Sequence, residues 1–226
     1  MIDIEKNYQA LQSRIQSSLA LTGQEESGFT IVAVSKKKSL AEIETAYRLG
    51  LSHFGENYVQ EAVKKIKSFH HKATWHFIGS IQSNKVKPIA ENFDWVHTIT
   101  RYSIAEKLDK YRPKPMPPLH VCIQIQLHQD DSRNSLPINK LPEMATKIEN
   151  LPNLKLRGLM GMTRFGASEE ERHQSYKTME MASESLKNNG FEIDTLSMGM
   201  SDDLEIAIHN HANMIRIGTA LFGPRQ

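Results

Sequence analysis

Short apolar runs recur eight times along this chain, and between them apolar residues return at the three-or-four spacing of a helix face. The runs fall at 29–36, 51–54, 75–78, 93–99, 119–127, 154–160, 193–196 and 214–217. Helices are expected over 40–49, along the face Val59, Ala62, Val63 and Ile66, beside Pro88, and over 102–111, 141–150, 168–189 and 202–210. An amphipathic helix over 3–20 precedes the first run. Capping boxes, Ser39 with Glu42 and Ser168 with Glu171, mark two helix starts, and Gly50 and Gly190 mark two stops. Asn57 is placed to cap the helix after it. The proline-rich stretch 112–118 is a connector, because the alternation resumes beyond it. Strands alternating with helices call for a parallel sheet. Eight such units predict a single (β/α)8 TIM barrel over residues 1–226 with an extra N-terminal helix. A doubly wound sheet is the alternative, but no Gly-x-Gly-x-x-Gly turn follows the first strand.

Ligands of such barrels bind at the C-terminal ends of the strands. The first strand ends on Ser35 and Lys36. The other ends carry Glu56 and Asn57, Gly79 and Ser80, Thr98 and Thr100, Met162 and Thr163, Ser197-Met198-Gly199-Met200-Ser201, and Arg216-Ile217-Gly218-Thr219. Small residues and hydroxyls after the seventh and eighth strands suit a phosphate cradle. A lysine amine opposite a phosphate site suits an aldehyde-bearing phosphate ester, since the amine forms a reversible Schiff base. Pyridoxal phosphate is the common cofactor held that way. If Arg216 lies against the pyridine nitrogen, its permanent charge disfavours protonation there and leaves the ring a weaker electron sink. That argues for racemase-like chemistry or for no turnover.

Composition narrows the classes. A formal net charge of +2 with scattered Lys and Arg gives no sign of a nucleic-acid binder. The lone cysteine, Cys122, excludes an internal disulfide, suits a reducing compartment and reads as a buried small side chain. The N-terminus is unlike a signal peptide and no apolar run approaches a membrane span, so a cytoplasmic location is expected. The ten histidines include His70-His71 and His209-x-His211, neither with the spacing of a metal site. Lys37 and Lys38 read as surface charges, with Lys38 on the same side as Lys36. Ser201 has a rival role as N-cap of the next helix, where Asp202 and Asp203 would complement the dipole.

Six ordered motifs resemble the pyridoxal phosphate homeostasis protein family over nearly the whole chain. They are Ala33-Val34-Ser35-Lys36, the stretch 54–61 (Phe-Gly-Glu-Asn-Tyr-Val-Gln-Glu), the stretch 75–79 with Gln82-Ser83-Asn84-Lys85, Arg157-Gly158-Leu159-Met160, the stretch 196–202, and the stretch 216–223. The resemblance implies a barrel like the N-terminal domain of alanine racemase (fold type III), without a second domain. It implies pyridoxal phosphate covalently on Lys36, Arg216 facing the pyridine nitrogen, Ser201, Gly218 and Thr219 on the phosphate, and Asn57 near the ring. It further implies a non-catalytic homeostatic carrier with no established catalysis. Apo-enzymes that use the cofactor are candidate recipients, and a monomer is expected. The chain departs from the family pattern at Lys37-Lys38-Ser39, at Ser132-Arg133-Asn134-Ser135, where a lysine is replaced by arginine, and in its short tail Pro224-Arg225-Gln226. Two other functions compete: an amino-acid racemase or lyase using the same lysine, and a barrel binding another phosphorylated metabolite. The chain has no spare length for the domain from which racemases of this fold class draw their second acid–base residue.

Overall fold

The computed structural model describes residues 3–128 and 135–224. The substituted position Arg133 and the terminal Arg225 and Gln226 lie outside them. Eight parallel strands close into a barrel in sequence order: β1 (Thr30–Val34), β2 (His53–Glu56), β3 (Thr74–Phe77), β4 (Trp95–Ile99), β5 (Leu119–Gln124), β6 (Leu154–Met160), β7 (Thr195–Ser197) and β8 (Met214–Ile217). The helices are α1 (Ile4–Thr22), α2 (Leu40–Arg48), α3 (Val59–Ser68), α4 (Val86–Asn92), α5 (Tyr102–Tyr111), α6 (Leu141–Glu149), α7 (Glu169–Asn188), α8 (Leu204–His209) and α9 (Thr219–Phe222). The expected barrel and its extra N-terminal helix are both present. Among the described residues no helix is long and apolar enough to cross a membrane.

Local chemistry sets several of these boundaries. Both capping boxes form, with Ser39 accepting from the Glu42 N–H and Ser168 from that of Glu171. Gly50 and Gly190 follow their helices with positive φ, the conformation that costs glycine least. Asn57 is not a cap: Tyr58 holds that position, without a side-chain bond. The helix expected over 202–210 begins only at Leu204, with Asp203 as its N-cap, so Ser201 does not cap it.

Alternation along the strands divides the apolar residues into two sets. Ala33, Phe54, Phe77, Val96, Val121, Ile123, Leu159, Ile215 and Ile217 belong to the large core with the helices. Inside the barrel lies a second, smaller cluster of Val32, Trp95, Cys122, Met160 and Met214. Such barrel interiors are usually filled by branched aliphatic side chains. Much of this one is filled by His76, His97, Gln124, Ser197 and Arg216, all buried. The lower end is closed by Trp95, stacked between His76 and His120 at interplanar angles of 18° and 19°. Arg157 lies over the same ring, 5.0 Å from its centroid. Gly158 in β6 has no alternative, since a Cβ there would stand 1.8 Å from the Thr195 carbonyl oxygen.

Candidate cofactor site

Lys36 follows β1 by two residues and is half-buried. The backbone on both sides of it is held by charged side chains. Ser35 donates its N–H to the Gly55 carbonyl (2.9 Å) and its hydroxyl to Glu56 Oε1 (2.7 Å). The Ser35 carbonyl accepts from Lys65 Nζ at 2.7 Å. On the far side the Lys37 N–H donates to Glu61 Oε1 at 2.6 Å, and Lys37 sits at φ 60°. Lys65 joins the two halves, reaching Glu56 at 2.8 Å and Glu61 at 2.6 Å. Burial pushes the Glu56 carboxyl up, and the Lys65 ammonium opposes that shift. Glu56 Oε2 is buried without a partner among the described residues. Lys38 is not a surface charge. Its ammonium donates to the Phe222 carbonyl at 2.8 Å and pairs with Glu42 at 3.3 Å, which ties it to the end of α9.

Arg216, on β8, is fully committed to the barrel interior. Nη1 donates to the carbonyl (2.7 Å) and the hydroxyl (2.8 Å) of Ser197, and Nη2 to the Gly161 carbonyl (2.9 Å). Burial lowers the guanidinium pKa, offset by nearby Tyr176 and Asp203.

The loop after β7 meets the start of α9. Ser201 Oγ accepts from the Ala220 N–H at 3.1 Å, and the Ser201 carbonyl accepts from Arg14 at 3.0 Å. Ser201 therefore serves α9, nineteen residues away, and not the helix that follows it. Asp203, expected to complement the dipole of the next helix, is buried and engaged. It accepts from the Met200 N–H (2.7 Å), the Thr163 hydroxyl (2.8 Å) and the Tyr176 hydroxyl (2.7 Å). Gly218 and Thr219 open α9, where N–H groups lack intrahelical acceptors. A Cβ at Gly218 would lie 3.5 Å from Val34, so this segment runs beside the strand leading to Lys36.

Asn57, just past β2, has its Oδ1 buried with no hydrogen-bond partner among the described residues. The next strand end presses on it, because a Cβ at Gly79 would stand 2.3 Å from the Asn57 carbonyl oxygen. An open depression of about 420 Å³ lies here, lined by Asn57, exposed Tyr58, Gly79, Ser80 and Lys85 among others. The predicted residues thus lie around one end of the barrel. Lys36 and Asn57 follow adjacent strands, Arg216 pairs in register with Val32 of β1, and Ser201 is bonded to the segment holding Gly218 and Thr219. The orphaned Asn57 Oδ1 is an acceptor that a phenolic ring can use, and the N–H groups at the start of α9 are donors that a phosphate can use. The residues present fit pyridoxal phosphate.

Sequence reading missed the histidines of the interior. His53, His76, His97 and His120 stand in four consecutive strands, β2 to β5. His53 Nδ1 lies 2.9 Å from His76 Nε2, His76 Nδ1 lies 2.8 Å from His97 Nε2, and His97 Nδ1 lies 2.8 Å from Ser197 Oγ. Burial drives His97 down to about 3, helped by Arg216, and His76 well below its usual range. His120 falls to about 4 through burial and Arg157. One signal was available: a histidine in each of four successive strands, at positions alternation turns inward. Cys122 is buried in the same interior, and burial pushes its thiol up to about 12, far from a reactive thiolate.

The family model for the alanine racemase N-terminal domain matches residues 3–226. A pyridoxal phosphate homeostasis protein of Pseudomonas aeruginosa is 42% identical, covering 100% of this chain and 97% of that one. PipY of Synechococcus elongatus superposes with a TM-score of 0.83 without PLP, at 33% identity, and 0.80 with PLP bound, at 32% identity. Both alignments cover 92% of this chain and 100% of PipY. An alanine racemase of Clostridium difficile has a TM-score of 0.78 at 15% identity, covering 98% of this chain and 60% of that one, a likeness of fold alone. The chain belongs to the pyridoxal phosphate homeostasis proteins, within the alanine racemase N-terminal domain family.

Proposed function

We propose that this protein holds pyridoxal 5'-phosphate covalently on Lys36 and releases it again, serving homeostasis of that cofactor. The observation that carries the reading is the convergence at one barrel end of Lys36, braced on both sides, with Arg216, Asn57 and the Ser201–Gly218–Thr219 segment. Relatives named for this role and the PLP-bound PipY structure support it. The cofactor would supply an aldehyde that lysine captures reversibly and, in enzymes, an electron sink. The chain's own residues divide the remaining work. Lys36 binds, the α9 start and Ser201 take the phosphate, and Asn57 meets the ring. Arg216 would present a permanent positive charge toward the pyridine nitrogen, which would disfavour its protonation and weaken the sink. A weak sink suits holding or racemase-like chemistry, and the relatives named for homeostasis favour holding. Residues 1–226 act as one cofactor-binding domain and as a monomer, with cofactor-dependent apo-enzymes as recipients. Purified protein titrated with pyridoxal phosphate will turn yellow, and a panel of L- and D-amino acids will show no racemisation or elimination. A protein that stays colourless rejects the cofactor reading, and clear turnover rejects the carrier reading.

A further inference from the structure

Four hydrogen bonds in series cross the barrel from its lower end to Arg216. They run from His53 to His76 (2.9 Å), His76 to His97 (2.8 Å), His97 to Ser197 (2.8 Å) and Ser197 to Arg216 (2.8 Å). His76, His97 and Ser197 are fully buried, so no water can substitute for a wrongly placed proton. We propose that His53, His76, His97 and Ser197 form a one-directional hydrogen-bond chain that positions Arg216, with all three imidazoles protonated on Nε2.

The direction follows from donor chemistry. A guanidinium only donates, so Arg216 Nη1 must give its hydrogen to Ser197 Oγ. The one other partner of that hydroxyl among the described residues is His97 Nδ1. If His97 Nδ1 also donated, the Ser197 hydroxyl hydrogen would be buried with nowhere to go, a cost of about 1–3 kcal/mol. The hydroxyl therefore donates to His97 Nδ1. A neutral imidazole with Nδ1 as acceptor carries its hydrogen on Nε2, which points at His76 Nδ1. The same logic passes through His76 to His53 Nδ1. Each hydroxyl or imidazole accepts at one end and donates at the other, so the bonds polarise one another in one sense. A hydroxyl that donates strongly is the better acceptor for Arg216. The depressed histidine pKa values agree with three neutral rings.

Ser197 and His97 are on this account positioning residues. They act on whatever meets Arg216, which under the proposed function is the cofactor ring, and that consequence rests on that reading. The chain itself is tested without cofactor. Nitrogen-15 spectra of the histidine rings at pH 7 should show His53, His76 and His97 neutral, with hydrogen on Nε2 and bare Nδ1. Hydrogen on Nδ1 of His97 or His76, or a charged ring, overturns the chain. Ser197→Ala should release the lock and give mixed tautomers at His97 and His76; unchanged spectra overturn it. Added pyridoxal phosphate reads the consequence in the folded variants. His97→Leu should weaken its binding about tenfold, the scale of one hydrogen bond to a charged group. His97→Asn, which restores an acceptor to Ser197, should stay within about threefold of the parent. Equal affinity in His97→Leu and the parent overturns the positioning role. Failure of the parent to bind rejects the cofactor reading and leaves the spectra to decide the chain.

Discussion

The two ends of the line through the barrel are built differently. At the C-terminal rim, polar atoms are buried and left over: Asn57 Oδ1 and Glu56 Oε2 have no partner among the described residues, and Lys37 holds a left-handed backbone. In the interior below, three histidines, a serine and Arg216 pass hydrogen bonds to one another in an unbroken series. Unsatisfied buried groups cost stability and mark places where a ligand completes the bonding. A satisfied buried network costs little once formed and holds its members rigid. The rim is shaped to receive and the interior to support. Substitutions in the two regions should therefore fail in different ways.

The largest effect is expected where the rim is braced. Lys65→Met strands the buried Glu56 beside Glu61, and breaking a buried pair of this kind costs about 3–5 kcal/mol. Denaturant unfolding measures it, and a loss below about 1 kcal/mol would show the bracing to be idle. Acid probes the interior next. His97 titrates near 3 when folded but at about 6.5 when unfolded, so between those values the unfolded chain binds the extra proton. Stability accordingly rises with pH there and falls as pH drops below 6.5. His97 alone should contribute a loss of about 2 kcal/mol by pH 5, and a stability profile flat from pH 7 to 5 would contradict a neutral interior. Gly79→Ala drives a Cβ into the Asn57 backbone and should cost about 1–3 kcal/mol while also disturbing the rim. The smallest stability change is expected at Asn57→Ala, within about 0.5 kcal/mol, because the Oδ1 it removes has no partner among the described residues. That variant should instead bind pyridoxal phosphate about tenfold more weakly, which calorimetric or absorbance titration would detect. A destabilised Asn57→Ala with unchanged binding would erase the distinction between rim and interior.

The barrel was legible because its signals are local. Alternating periodicity, two capping boxes and the glycine stops at 50 and 190 each involve residues within a turn of one another, and all are found in place. The positions of Lys36, Arg216, Gly218 and Thr219 at one barrel end follow from strand order alone. What escaped depends on contacts between distant segments. Ser201 looks like a cap for the helix after it, but its hydroxyl is taken by Ala220. Asp203 looks like a helix-dipole charge and is instead a buried acceptor for three donors from separate segments. Asn57 has the residue type of an N-cap, yet Tyr58 holds that position and the Asn57 oxygen has no partner among the described residues. Lys38 lies near Lys36 in sequence and is drawn off by the Phe222 carbonyl. The histidine series needed four strands to be superposed before its members could be seen to touch.

Borohydride trapping decides whether Lys36 carries the cofactor on the braced rim. Protein loaded with pyridoxal phosphate, reduced with borohydride and digested should yield one phosphopyridoxyl-labelled peptide, with the label on Lys36. Lys36→Ala should remain unlabelled under the same treatment. Label confined to Lys37, Lys38, Lys65 or Lys85, or undiminished labelling in Lys36→Ala, would contradict the account.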